Sequence, residues 1–287
     1  MTFHTSILLA LSALAAAQSG SCPEVWSKVA SALQSEFDGC NDHARAAIRA
    51  PFHDCVTGSC DGSLILGGEC SRSENAGLED ICNKLSEWAD EYEVGTADMI
   101  QFAQAVAISV CPLGPQIRAL VGRKDSSIPA PEGLVPSSHD SVDAILSRFA
   151  SVGLSANDVV ALVGAHTTGK QFFDDPAQAG ASFDTSPSVW DVTFYGETLS
   201  GTAPYTLQSD KELSKDSRTS DEWTKFSISQ SGWAASFVSA MNRFGVVGND
   251  VDSLTDCSNM LPGASKVRRE AMRAPIGDRA FHPKAKS

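Results

Sequence analysis

After its first 17 residues the 287-residue chain has no apolar run approaching the roughly 18 residues a membrane helix needs, so no later segment reads as a span. It has no Cys-x-x-Cys pair, which removes the common zinc-thiolate pattern, and no Asn-x-Ser/Thr triplet, so N-glycosylation is not expected. Period-two alternation of apolar and polar residues is nearly absent, which argues against a β architecture. Positive charge is scarce. The 22 Lys and Arg stand against 35 Asp and Glu, a net charge of −13, and such a surface repels polyanions. Neither nucleic acid nor a membrane is expected as a partner, and no internal repeat or low-complexity block points to an array.

What is present begins with a leader. Residues Met1 to Thr5 precede a 12-residue apolar run, Ser6 to Ala17, that ends in three alanines. The run is too short to cross a bilayer and ends in the small residues a signal peptidase accepts, although no Lys or Arg precedes it. Residues 1–17 are therefore expected to be a signal peptide, and the chain from Gln18 onward secreted and soluble. All eight cysteines lie beyond the leader, and an even count in an exported chain suggests disulfides. The remaining length suits one large core or two packed lobes. Charge is uneven: residues 264–287 carry seven Lys and Arg against Glu270 and Asp278, a basic tail of +5 behind an acidic body. That tail is expected to be solvated and flexible.

Apolar residues recur three and four apart over Cys22–Phe37, Asp42–His53, Asn75–Tyr92, Thr96–Ser109, Asp140–Val152, Ser155–Ala165 and Asp221–Phe244, so the chain reads as mainly α. Ser155 and Asp221 look like helix caps. Pro112, Gly114 and Pro115 stop one helix, and "SSIPAPEGLVPSS" reads as a rigid loop. Two helical lobes divided near residue 150 fit this pattern.

The segment "RAAIRAPFHDCVTGSCDGS" carries the first chemistry. Arg49 and His53 are four apart and share a helix face, with Pro51 between them expected to kink or end the helix. Asp54, Asp61 and Ser63 follow as hard oxygen donors, with Gly58 and Gly62 permitting tight turns and Cys55 and Cys60 close enough to bond. Oxygen-rich loops of this kind suit calcium, although the spacing is not that of an EF-hand. Further on, "NDVVALVGAHTTGKQF" places His166 at the end of an apolar helix, and "SFDTSPSVWD" spaces Asp184, Ser186 and Asp191 like a second oxygen cage. An imidazole that binds a metal wants an acceptor on its other nitrogen, and Asp210 is a candidate. His43, His139 and His282 lie in polar surroundings and read as surface residues.

The segments "IRAPFHDC", "SCDGSLIL", "ENAGLED", "VGRKDS", "PAPEGLVP", "LVGAHTTG" and "LTDCS" resemble, in order, those of the plant and fungal haem peroxidase superfamily, nearest its secreted fungal branch, over about residues 20–262. The resemblance implies a mainly α fold in which two helical lobes sandwich one haem b, a distal lobe of about 18–150 and a proximal lobe of about 151–263. On the family's pattern His53 is the distal acid–base residue, Arg49 the distal cation and Phe52 the distal aromatic. Asn75 accepts the proton-bearing nitrogen of His53, and Glu69 holds Asn75. His166 is the proximal iron ligand, Asp210 its carboxylate partner and Phe183 the proximal aromatic. Two calcium ions are implied. The distal one takes Asp54, Asp61 and Ser63 with the carbonyls of Thr57 and Ser59; the proximal one takes Thr167, Asp184, Ser186, Asp191 and the carbonyl of Val189. Asp98 and Arg123 resemble the family's buried ion pair.

These positions suit one reaction. Hydrogen peroxide must lose a proton from one oxygen and gain one on the other before its O–O bond breaks, and a neutral imidazole beside a guanidinium can serve both steps. The manganese-oxidising members use three carboxylates that fall at Asp42, Ala46 and Phe172, and only the first is acidic here. The surface tryptophan of lignin-oxidising members falls at Ala161. The resemblance thus implies a monomeric enzyme that takes electrons from phenols or similar small aromatics at the haem edge, with Pro129 to Pro131 lining the access channel. Trp190, Trp223 and Trp233 read as core rather than as electron carriers. A manganese- or lignin-type enzyme, or an exported interaction protein that keeps the fold, are the alternatives. The superfamily pattern pairs Cys55 with Cys60 and Cys40 with Cys111, which leaves Cys22, Cys70, Cys82 and Cys257 with three pairings, Cys22–Cys257 with Cys70–Cys82 being favoured.

Overall fold

The structure is a computed structural model that describes residues 21–263, so the expected leader (1–17) and basic tail (264–287) lie outside the described residues. It is mainly α, with eleven helices among those residues. They are α1 Val25–Glu36, α2 Asp42–Cys55, α3 Ser63–Leu66, α4 Glu79–Glu91, α5 Thr96–Val110, α6 Val142–Ser151, α7 Ala156–Val163, α8 Thr193–Ser200, α9 Gln208–Leu213, α10 Ser220–Phe226 and α11 Gln230–Phe244. The short strands β1 (Leu120–Val121) and β2 (Thr255–Asp256) pair antiparallel.

The core is organised around α5. From Thr96 to Ile108 every residue of that helix is buried, so it is apolar nearly all round and has to be wrapped by others. Helices α1, α2 and α4 do this, and α2 makes the most extensive contact through the small residues Ala44, Ala47 and Ala50. In the second half, α7 packs on α11, and Tyr195 of α8, Trp223 of α10 and Trp233 of α11 fill the space around them.

Several helix ends differ from their expected places for identifiable reasons. Pro51 does not end α2, which runs on to Cys55. Its missing N–H and ring clash, worth about 3 kcal/mol in an exposed helix, are outweighed by packing on α5. Residues Asn75–Leu78 are not helical, because Gly77 adopts φ +83° and the 73–75 segment forms a separate 3₁₀ turn. The expected helix over Asp221–Phe244 is two helices, broken at Ser227–Ser229, where the Ser229 side chain accepts from Gly232 N and caps α11. Asp221 lies inside the first turn of α10 instead of capping it. Ser155 does cap α7, in a reciprocal box with Asp158. The short helices α3, α8 and α9 carry no marked apolar period and were not anticipated.

Four disulfides join Cys22–Cys257, Cys40–Cys111, Cys55–Cys60 and Cys70–Cys82. The first closes a separation of 235 residues, and the β1–β2 pair beside it, with Cys257 N donating to Ala119 O at 2.7 Å, holds the two ends together. Asp98 of α5 is buried and accepts from Arg123 Nη1 (2.9 Å), Arg123 N (3.2 Å) and Gly122 N (2.6 Å), while Arg123 Nη2 donates to Gly245 O at 2.6 Å.

Asp98→Ala leaves the buried Arg123 charge without its carboxylate. It is expected to cost about 3–5 kcal/mol, read as a lowered urea midpoint; a loss below about 1 kcal/mol means the pair does not hold this region.

Candidate active site

Helix α2 begins at Asn41, whose side chain accepts from Ala44 N at 3.0 Å. Its 3.6-residue period then puts Asp42, Ala46, Arg49 and His53 on one face. His53 is buried, and its Nδ1 lies 2.7 Å from Asn75 Oδ1. Asn75 Nδ2 donates to the Glu69 carbonyl at 2.8 Å, which fixes the amide so that its oxygen faces the histidine. Nδ1 therefore carries the proton, and Nε2 is left as a lone-pair acceptor that is buried and has no partner among the described residues. Burial, then the neighbouring Arg49 charge, hold the imidazole well below 6.5, against the opposing pull of the Asn75 bond.

Arg49 is exposed, yet the protein packed around it brings its guanidinium down to about 10 by desolvation, against the attraction of Glu79. Its Nη1 donates to Ala76 O at 3.0 Å. Phe52 meets the His53 ring edge-on at 4.9 Å and stacks on Phe149 at 5.9 Å. The Glu69 side chain, in contrast, does not touch Asn75. It accepts from Ala130 N at 2.8 Å and from Arg72 Nη1 at 3.3 Å, so Glu69 reaches Asn75 through its carbonyl and the 129–131 segment through its carboxylate.

The loop after α2 gathers oxygens. Asp54 is buried, accepts from Gly62 N (3.1 Å) and Leu64 N (3.2 Å), and is pushed up to about 7 by burial. Thr57 Oγ1 donates to Asp54 O at 2.7 Å, Asp61 Oδ1 accepts from Ser63 N at 3.1 Å, and Ser59 lies in the same loop, packed against Gly248. Gly62 is required at the turn: its φ is +77°, and a Cβ there would stand 2.9 Å from Ala97 N.

The second histidine follows α7 in a 3₁₀ turn, Gly164–Thr168, and so sits past the helix end with about a third of its ring exposed. His166 Nδ1 is 3.0 Å from Asp210 Oδ2, while Asp210 Oδ1 is buried without a partner among the described residues. Phe183 (5.1 Å) and Phe194 (5.6 Å, edge-on) wall the ring. Gly169 makes room for Phe183, whose ring would stand 2.6 Å from a Cβ at that position. Next to them all five residues of the second oxygen cage converge. Thr167 Oγ1 donates to Asp184 Oδ2 (2.5 Å) and lies 3.4 Å from Val189 O, and Ser186 joins Asp184 through its N–H (2.8 Å) to Asp191 through its hydroxyl (3.1 Å). Burial raises Asp184 to about 6.

The other candidates build no comparable cluster. Asp42 is paired with Arg45 and lies 3.5 Å from Lys170 Nζ, Phe172 is exposed, and Ala161 is buried with its carbonyl accepting from Trp233 Nε1 at 2.9 Å. Trp190, Trp223 and Trp233 are fully buried. His139 is exposed, and His43 is part-buried between Glu36 and Asp80. An open cavity of about 730 Å³ is lined by Gln208 and Lys211 of α9 with His139, Asp174 and Tyr205, on the side of that helix away from Asp210. Phe149, Phe194 and Lys170 were missed by sequence reasoning, for their places depend on contacts across the fold that no local pattern signals.

Two observations fit a metal-bearing prosthetic group. The His53 Nε2 lone pair is buried with no partner among the described residues, and the His166 imidazole, about a third exposed, is backed by a carboxylate. The model of the peroxidase family matches residues 25–229. The chain is 35% identical to a low-redox potential peroxidase of Taiwanofungus camphoratus (83% of this chain, 77% of that one) and 33% identical to manganese peroxidase 3 of Phlebia radiata (78% and 72%). It is also 33% identical to a peroxidase of Arthromyces ramosus (84% and 76%).

Below pH 6.5 the unfolded chain binds a proton at His53 that the folded chain does not, so this residue contributes stability that is present above 6.5 and lost as pH falls toward its depressed folded value. Between pH 7 and pH 5 the urea midpoint is expected to drop more steeply in the wild type than in His53→Gln. Equal slopes mean that the imidazole is not held neutral.

Proposed function

The chain belongs to the peroxidase family and is a hydrogen-peroxide-dependent haem oxidoreductase, and on that premise we propose that it is a secreted, monomeric enzyme oxidising phenols or similar small aromatics in one-electron steps at the haem edge. We read residues 18–263 as a single peroxidase domain, distal lobe about 18–150 and proximal lobe about 151–263, around one haem b. The observation that carries the reading is the buried, unpartnered His53 Nε2, made an acceptor by the Asn75 bond on Nδ1.

When bound, the haem supplies an iron that accepts peroxide and stores the oxidising equivalents later passed to donors. The residues do the rest. His53 Nε2 takes the proton from the near oxygen of hydrogen peroxide and returns it to the far oxygen, which leaves as water. Its depressed basicity keeps the nitrogen free in mildly acidic solution. Arg49 steadies negative charge on the departing oxygen, and Phe52 packs beside His53. Asn75 and Glu69 position His53. His166 Nε2 is the nitrogen available to the iron, Asp210 accepts the Nδ1 proton and so strengthens that nitrogen as a donor, and Phe183 fixes the ring. Asp54, Thr57, Ser59, Asp61 and Ser63 would hold one calcium ion, and Thr167, Asp184, Ser186, Val189 and Asp191 a second; buried Asp54 and Asp184, both raised by burial, are carboxylates in want of a cation.

A manganese-oxidising reading is favoured by the likeness to manganese peroxidases, 33% and 34% identical, close to the 35% of the low-redox potential peroxidase. The local chemistry supports phenols instead. The charge of Asp42 is already met by Arg45 and Lys170, and Ala46 and Phe172 offer no oxygen where further hard ligands are needed.

His53→Leu is expected to lower the second-order rate constant with hydrogen peroxide by about 10²- to 10⁴-fold in stopped-flow measurement of the Soret band, and an unchanged constant refutes the assignment of His53. In steady state, turnover of a simple phenol is expected to exceed that of Mn²⁺ at acidic pH; faster Mn²⁺ turnover overturns the choice of donor.

A further inference from the structure

Among the described residues Arg49 has a single protein acceptor, the carbonyl of Ala76 at 3.0 Å, and no carboxylate bonded to it directly. A guanidinium has five N–H donors, so one neutral carbonyl is a slight hold on a group whose position the reaction needs fixed. What stands behind that carbonyl strengthens the hold. The peptide unit that offers Ala76 O also offers Gly77 N–H, and this N–H donates to Glu79 Oε2 at 3.0 Å. One peptide group therefore links the Arg49 cation on its oxygen to the Glu79 carboxylate on its nitrogen. The C=O and N–H of a trans peptide point opposite ways, so a carboxylate drawing on the N–H polarises the carbonyl and makes it a stronger acceptor.

The chain around this bridge is held in place. Ala76 N donates to Ser73 O at 3.2 Å and Leu78 N to Asn75 O at 3.1 Å, which ties the Ala76–Gly77 unit to the turn that carries Asn75. Asn75 holds His53, and the next residue holds Arg49. Gly77 adopts φ +83°, and a Cβ there would stand 2.7 Å from Phe173 Cε2, so the Phe173 ring lies on Gly77 beside the bridge. Glu79 is the first residue of α4, where an acid also favours the helix dipole, but that role asks nothing of Gly77. Desolvation brings Arg49 down to about 10, and the one opposing influence is the charge of Glu79.

We propose that Glu79 is the positioning residue for Arg49, acting through the Ala76–Gly77 peptide. This rests on the peroxidase reading above and adds a residue to its distal side. A direct ion pair would spend the charge that has to steady the departing oxygen. With one peptide group between cation and carboxylate, Nη1 alone is engaged, and Nε and Nη2 have no protein acceptor among the described residues. The effect of Glu79 on the reaction thus passes through Arg49, and a double-variant cycle isolates it.

The test uses the haem-loaded full chain and two readouts: the dissociation constant of fluoride for the resting ferric enzyme, and the second-order rate constant with hydrogen peroxide. Fluoride is a small anion that binds ferric iron and accepts from a nearby guanidinium, so it reports the placement of Arg49 without turnover. Glu79→Ala is expected to weaken fluoride and to slow the peroxide step about fivefold each, and to weaken neither in an Arg49→Leu background. Glu79→Gln keeps an oxygen for Gly77 N but no charge, and is expected to move both constants the same way by a smaller factor, so the comparison stands should Glu79→Ala fold poorly. Equal changes in both backgrounds, or both constants unmoved whatever the urea midpoint does, overturn the positioning role and leave Glu79 a helix-end acid. A wild-type Soret band that peroxide leaves unmoved overturns the peroxidase reading and this role with it.

Discussion

The hydrogen bond between His53 Nδ1 and Asn75 Oδ1 decides which imidazole nitrogen is free, and the chemistry of the distal side depends on that choice. The bond is directional only because Asn75 spends its NH₂ on the Glu69 carbonyl. That in turn requires the 69–75 turn to stay against α2. The turn is held from outside: Glu69 takes Ala130 N, Glu74 takes Gly133 N at 2.8 Å, Arg72 stands among Glu69, Glu74 and Glu132, and Cys70–Cys82 ties the turn to α4. A proline-rich loop sixty residues away in sequence is therefore part of the positioning of one proton acceptor.

Burial acts on His53, Arg49, Asp54 and Asp184 in the same sense, by penalising the charged form. His53 becomes a weaker base and stays neutral. Asp54 and Asp184 are pushed up to about 7 and 6, for among the described residues they meet only backbone N–H groups and hydroxyls. Burial raises Asp98 as well, but there the Arg123 guanidinium opposes it, so the protein carries its own counter-charge. Two buried acids without a cationic side chain, each within a loop of further oxygens, ask for an external cation, which is the physical content of the two proposed calcium sites.

Much of this was legible in the chain itself. The period of α1, α2, α4 and α5 is unambiguous, the Ser155 cap is local, and the clusters around His53 and His166 announce themselves by residue types that a packed core has little use for. What failed was decided by tertiary contact. Pro51 reads as a helix breaker until α5 is seen packed along α2, and the break at Ser227–Ser229 lies between two stretches whose apolar periods run on almost in phase. The motif order implied that Glu69 steadies Asn75, but only the fold reveals that the backbone does so while the carboxylate serves Ala130. The favoured Cys22–Cys257 pair is present, although the two-residue strands β1 and β2 beside it are too short to leave a pattern.

The distribution of aromatics bears on how electrons can enter. Trp190 and Trp233 stack at 5.3 Å deep in the second half, with Trp223 and Tyr195 against them, and the Trp233 N–H occupies the carbonyl of Ala161. The position at which lignin-oxidising members carry their tryptophan is thus turned inward here as well as lacking the side chain, so a relay from that point would need the α7–α11 packing to be rebuilt. The aromatic rings most exposed among the described residues are Phe172 and Phe173, and phenylalanine is too hard to oxidise to carry an electron. On the proposed reading an electron is then most readily lost by a molecule able to approach the rim of the site itself, which favours small planar donors over bulky or polymeric ones.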